Sequence, residues 1–310
     1  MNDGSIARYR LRAPPQSDFV TGRAESRRGS SRPGSARWVA PSSAAFGGVV
    51  ILAVLGFAFA DRARAAETDE SPSRPADPVV ELFTSHGCSS CPPADRLLGA
   101  LLEKNPALIG LEYHVDYWNS LVHGVAGSFV DPFSDSAWSF RQRDYDERPL
   151  TGRTGIFTPQ AIVDGRHAAV GSDERGIVAA LRRGHAEGPK IRVSRDGDVL
   201  RISVDGVRVG ERAARTVDHL PAPAPDTGEV ALVRFLRERR TAITGGENRG
   251  LELVNHHVVI AVEPLGRVGE DGSLRARTTA PNDSGEGCAV LVRYGDRESR
   301  LGGRLCPEPA

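Results

Sequence analysis

The stretch Val79-Val-Glu-Leu-Phe-Thr-Ser-His-Gly-Cys-Ser-Ser-Cys-Pro-Pro-Ala-Asp95 decides the fold. Val79 to Ser85 is short, β-branched and aromatic, and reads as a buried strand ending at His86-Gly87. From Pro92-Pro93 the apolar residues fall at Ala94, Leu97, Leu98, Leu101 and Leu102. That spacing is one face of a helix with proline in its first turn, where a missing N–H costs nothing. Cys88 and Cys91 therefore sit at a strand-to-helix junction.

Working outward, a second strand is expected over about Ala107 to Tyr117, and a charged, helix-compatible segment over Ser134 to Arg148. Pro159–Val163 and His167–Val170 flank Asp164-Gly165 and read as a hairpin. A helix follows from Asp173, with Ser172 as its N-cap and Ile177, Val178, Ala180 and Leu181 as its apolar stripe. The order βαβαββα predicts an α/β layer over residues 79–188. Beyond it the period changes to strict alternation, as in Leu200/Ile202/Val204, Val258/Ile260/Val262 and Val290/Val292. Residues 189–310 are expected to form a separate antiparallel β-sandwich-like domain of about seven strands.

The N-terminal side reads differently. Residues 1–43 are basic and rich in Ser, Gly and Pro, too poor in apolar surface to offset their ordering entropy, and are expected to be disordered. Residues 44–66 hold an apolar run, Ala44 to Ala60, followed by Ala63-Arg64-Ala65-Ala66, the pattern of a cleavable signal peptide. Residues 67–78 read as a polar linker. Together these predict a periplasmic or secreted protein. The alternative is an uncleaved anchor through the 44–60 segment, facing the periplasm. Lys+Arg and Asp+Glu each total 40, so nothing in the charge balance points to nucleic acid.

The chemistry lies at Cys88-Ser89-Ser90-Cys91. A helix start favours thiolate over thiol, so Cys88 is the expected attacking sulfur and Cys91 the resolving one. His86, two residues upstream, is expected to support the thiolate when protonated. No cofactor or metal is needed for that role, and the partner is an unknown protein or small-molecule thiol or disulfide. Three other readings stay open: a structural disulfide, a relic without turnover, and a binding module holding copper or zinc through Cys88, Cys91 and His86 or His114. Whether Cys288 and Cys306 pair is also open. Asn255-His256-His257 reads as structural, because neighbouring strand residues point to opposite faces. Gly245-Gly-Glu-Asn-Arg-Gly250 lacks the Lys-Ser/Thr and helix of a phosphate loop and reads as a hairpin turn.

Residues 79–95 resemble the opening of a bacterial exported family catalogued as domain of unknown function 1223. His114-Val-Asp-Tyr-Trp118, Asp131-Pro-Phe-Ser134, Thr158-Pro-Gln160, Gly246-Glu-Asn248 and Gly287-Cys-Ala-Val290 are similar to its later motifs, in order. The resemblance implies a thioredoxin-fold domain followed by a β-rich one, and brings no established activity. It also implies that Pro159 is the cis-proline that faces the dithiol in such folds. Two departures stand out. The segment Asn119–Val130 is longer than the family suggests, and Leu82 stands where many thioredoxins carry a buried acid. Glu81 should face the other side of the strand, which leaves proton transfer to another group such as Asp116.

Overall fold

A computed structural model describes residues 73–121, 129–183, 188–208, 216–217, 220–221, 228–295 and 300–309. The expected disordered extension, signal peptide and first part of the linker lie outside these residues. The first half contains β1 (Arg74–Pro75), β2 (Val79–Thr84), α1 (Pro92–Lys104), β3 (Ile109–His114), α2 (Trp118–Leu121), α3 (Ser136–Asp146), β4 (Thr151–Gly152), β5 (Gln160–Val163), β6 (His167–Val170) and α4 (Glu174–Arg182). The second half contains β7 (Lys190–Asp196), β8 (Val199–Asp205), β9 (Thr216–Val217), β10 (Leu220–Pro221), β11 (Glu229–Ala242), β12 (Glu252–Arg267), β13 (Leu274–Thr279), β14 (Glu286–Tyr294) and β15 (Arg300–Leu305). The expected elements are present; the N-cap of α4 is Asp173, whose carboxylate accepts from the Gly176 N–H at 3.0 Å, rather than Ser172.

This is a mixed α/β protein with two principal sheets. The larger has nine strands in the order β15-β14-β11-β12-β3-β2-β5-β6-β4, and the smaller has four, β1-β7-β8-β13. β2 and β3 run parallel, joined through α1, while β5 pairs antiparallel with β2. Every residue of β2 and β3 is buried, as expected for strands covered on both faces. Alternation along β2 sends Val80 and Leu82 toward Ala94, Leu98 and Leu101 of α1, and Val79 and Phe83 toward Trp138 and Tyr145 of α3.

That same alternation turns Glu81 away from α1, as expected. Its carboxylate is fully buried, accepts from Arg141 Nε at 2.7 Å and is bonded by the Tyr145 hydroxyl. Burial opposes its charge, yet Arg141 and these hydrogen bonds hold its pKa below the ordinary value.

The expected boundary at residues 188/189 does not divide the folded chain. β12 pairs parallel with β3 at Val258–Glu112, so strands from the second half extend the sheet of the first. Phe235, Val259, Ala289 and Leu291 share one core with Phe83, Tyr113 and Tyr145, and the described residues belong to a single compact unit. β14 and the first half of β11 bury apolar residues on both faces, and their other face (Val230, Leu232, Val290, Val292) packs on Ile191, Leu200, Ile202 and Val204 of the smaller sheet. The described end of the expected linker is also built in. Arg74–Pro75 pair with β7, Asp77 bridges to Gly303, and Ala76 is buried.

Candidate functional site

The C-terminal ends of β2 and β3 and the start of α1 meet at the dithiol. Cys91 is the N-cap of α1, and Cys88 precedes it in a turn closed by the Cys91 N–H to Cys88 carbonyl bond at 3.2 Å. The two sulfurs are joined, with their Cα atoms 5.4 Å apart. Thr158 Oγ1 donates to Cys88 Sγ at 3.4 Å, and Ser90 Oγ lies 3.3 Å from the same sulfur. The Thr158–Pro159 peptide that follows is cis.

The helix start differs from a simple row of free donors. Pro92 and Pro93 have no N–H, and the Ala94 and Asp95 N–H groups are taken by the Cys91 carbonyl at 2.8 and 3.2 Å. The Ser89 N–H is taken by Glu247 Oε2 at 2.9 Å. Hydroxyls, rather than orphan amides, therefore supply the polar contacts to Cys88 Sγ.

Both cysteines are 0% exposed. The connection between β11 and β12, the Gly-rich segment that reads as a turn in the sequence, is bonded to the backbone of the dithiol loop. It is a turn, closed by the Ile243–Leu251 and Gly250–Ile243 backbone bonds. It is also a clamp: Asn248, itself buried, donates from Nδ2 to the carbonyls of His86 and Cys88, each at 2.9 Å.

Below the dithiol lies a buried polar cluster. His86 does not aim at Cys88. Its Nε2 meets Asn255 Oδ1 at 2.8 Å, its Nδ1 lies 3.4 Å from Asp131 Oδ1, and its backbone N–H donates to Asp131 Oδ2 at 2.7 Å. Burial and the neighbouring His114 lower its pKa, so the charged form expected to support a thiolate is disfavoured. His114 Nδ1 lies 2.8 Å from Asp131 Oδ2. Burial works against its charge, but Asp131 and Glu112 outweigh it and push His114 up to about 10. Asp131 responds in kind: although buried, it is held well below the carboxylate range by His114 and His86.

Asp95 lies one turn along α1 from Cys91, 3% exposed, with its Oδ1 accepting from Thr84 Oγ1 at 2.7 Å. Burial, reinforced by Glu112, raises its pKa well above the ordinary value. Asp116, the acid singled out from the sequence, is instead engaged by Ser139, whose hydroxyl donates to Oδ1. Trp118, at the start of α2, donates from its indole to Thr158 Oγ1 at 2.7 Å and so steadies the residue that touches Cys88.

The site thus joins Cys88, Cys91, His86 and Pro159 with residues that sequence reasoning did not assign to it: Asp95, Asp131, Asn248 and Asn255. A signal existed for some of them. A Glu and a His inside the buried strand Ile109-Gly-Leu-Glu-Tyr-His114 require buried partners, and Asp131 and Asn248 lie in motifs that the resemblance picks out. Nothing in Asn255 itself marks it.

Residues 79–293 match the family described as "Protein of unknown function (DUF1223)". The chain belongs to that family. Among solved structures, the crystal structure of protein AGR_C_4864 from Agrobacterium tumefaciens is similar at 26% identity and a TM-score of 0.56, covering 77% of this chain and 98% of that one. HBP35 of Porphyromonas gingivalis is similar at 13% identity and a TM-score of 0.45, covering 76% of this chain and 77% of that one. A search of curated proteins finds no match. The family match spans both halves, as does the shared sheet: Cys88, Asp131 and Asn248 all fall inside it.

Proposed function

We propose that this chain is an exported, thioredoxin-like protein whose Cys88–Cys91 dithiol exchanges disulfides with a protein or small-molecule partner. The surroundings of Cys88 Sγ carry the reading. A sulfur at a strand-to-helix junction, touched by the Thr158 and Ser90 hydroxyls, supports thiolate chemistry over stapling. A bridge spanning only three positions restrains the unfolded chain little, which argues against a purely structural disulfide.

In the reducing direction, the Cys88 thiolate attacks one sulfur of the partner disulfide and releases the other as a thiolate. Cys91 then gives up its proton and attacks the Cys88 sulfur. The second partner thiolate leaves, and two electrons have passed from the dithiol to the partner. The reverse sequence runs from the oxidised pair. Asp95, one turn from Cys91 and raised by burial, is the carboxylate we assign to that proton, in place of the acid missing at Leu82. Because both sulfurs are buried, exchange requires them to become exposed, and we assign that step to release of the Asn248 bonds to the dithiol loop.

The test is trapping. Cys91→Ser should accumulate mixed disulfides on Cys88, read by mass spectrometry of the exported protein, and Cys88→Ser should accumulate none. In the reduced chain, iodoacetamide should label Cys88 with a midpoint below the ordinary thiol value of ~8.5. A midpoint at or above that value, with no trapped adduct, would end the exchange reading.

A further inference from the structure

We propose that His86, His114 and Asp131 form a binding site for a divalent cation of borderline character, zinc foremost. The three side chains come from separate segments: the loop after β2, the end of β3 and the loop before α3. All are buried, and one ligand atom from each lies within 4.8 Å of the others. Among the described residues, no other group of three His, Cys, Asp or Glu side chains gathers this way, and this one includes neither Cys88 nor Cys91.

The orientation of the rings argues for a cation. Both imidazoles turn Nδ1 toward the Asp131 carboxylate, at 3.4 Å for His86 and 2.8 Å for His114. Both turn Nε2 away, His86 to Asn255 Oδ1 at 2.8 Å and His114 toward Glu112 Oε2 at 3.8 Å. An acceptor behind each ring is the arrangement that fixes metal-ligating histidines, because it holds the proton on the far nitrogen and leaves the near one as a lone pair.

A proton shared by His114 and Asp131 explains only that pair. His86 Nδ1 remains buried without a hydrogen-bond partner, facing Asp131 Oδ1 at 3.4 Å but not in the geometry of a hydrogen bond. His114 Nε2 and Glu112 Oε2 are likewise unpartnered. Such orphaned groups are costly in a dry interior. A cation seated between the two Nδ1 atoms and the carboxylate would satisfy His86, displace the His114 proton from the Asp131 side, and draw Glu112 onto Nε2–H. Two imidazoles and one carboxylate suit zinc and its neighbours in the first transition row better than calcium or magnesium, which prefer oxygen alone. The fourth ligand is left to water or substrate. The site goes beyond the dithiol reading and does not depend on it.

The experiment uses the full chain, stripped with chelator and checked for folding by circular dichroism. Zn2+ is titrated against a competing indicator, and Co2+ is added in parallel as a spectroscopic probe. We expect about one equivalent of either ion per chain, the stoichiometry of a single mononuclear site. The cobalt form should show visible ligand-field bands without thiolate-to-cobalt charge transfer. The double variant Cys88→Ser/Cys91→Ser should retain zinc, which separates this site from the dithiol. Asn255→Ala should weaken zinc binding about 10- to 100-fold, as loss of an outer-shell partner does. His114→Ala should abolish stoichiometric uptake. A folded, stripped wild-type chain that takes up neither ion would overturn the proposal. So would charge-transfer bands, loss of zinc in the double-cysteine variant, or unchanged uptake in folded His114→Ala.

Discussion

His257 shows how one buried side chain ties stability to pH. Its backbone takes the positive φ of 51° that few residues other than Gly and Asn accept, its ring lies 4.2 Å from that of Phe235, and its Nδ1 lies 3.0 Å from the Gly110 carbonyl. Burial, with Arg237 and His256 adding to it, lowers its pKa to about 4 against the bond to Gly110. Because the folded value lies below that of the unfolded chain, the unfolded state takes up the proton first as pH falls. The stabilising contribution is therefore present above pH ~6.5 and lost on the way down to about 4. By pH 5 the loss is about 2 kcal/mol. Urea melts at pH 7 and pH 5 should show His257→Asn, which keeps the left-handed backbone without the titration, losing about that much less stability than the parent chain. Equal losses in the two proteins would remove His257 as the cause.

At the scale of the element, the β11–β12 connection does more than reverse the chain. Its tip places Glu247 on the Ser89 N–H and Asn248 on two carbonyls of the dithiol loop. An amide from a distant hairpin thereby holds the backbone of the loop that carries Cys88. Asn248→Ala removes both bonds and should raise the iodoacetamide labelling rate of reduced Cys88 about 30-fold, since two bonds of ~1 kcal/mol each hold the dithiol loop in place. Glu247→Ala, at an exposed side chain with a single backbone contact, should raise it less. Rates unchanged in both variants, with folding intact, would mean that the hairpin does not limit access. The same hairpin anchors through Asn255 on β12, which meets His86 Nε2.

At the scale of the whole molecule, the two halves share one core. Phe235 and Val259 from the second half pack with Phe83 and Tyr113 from the first, and β12 continues the sheet at β3. Separating the halves would expose an apolar face on each, at roughly 25 cal/mol per Å2. Cleavage at a protease site engineered between Arg183 and Gly188 should therefore yield fragments that stay associated and unfold together, read by size-exclusion chromatography and a single calorimetric transition. Two fragments that part and remain folded would contradict the shared core. The second disulfide, Cys288–Cys306, ties β14 to the chain just after β15 in the other core, the one packed against the smaller sheet.

The sequence by itself determined the local elements and the place of the cysteine pair. The period-two and helical patterns place β2, α1, β3 and α4 within a few residues, and the junction between strand and helix marks Cys88 and Cys91 because both signals are local. Alternation also told Glu81 from Leu82. It could not reveal that β12 pairs with β3, since an edge covered by another strand and an edge covered by a helix demand the same buried apolar residues. That pairing, which only the tertiary structure decided, brings Asn255 to His86 and Asn248 to the Cys88 carbonyl from more than 150 positions away. The burial it creates also sets the protonation of His86, His114 and Asp131, because a side chain's charge answers to neighbours in space and to the loss of water, neither of which is written along the chain.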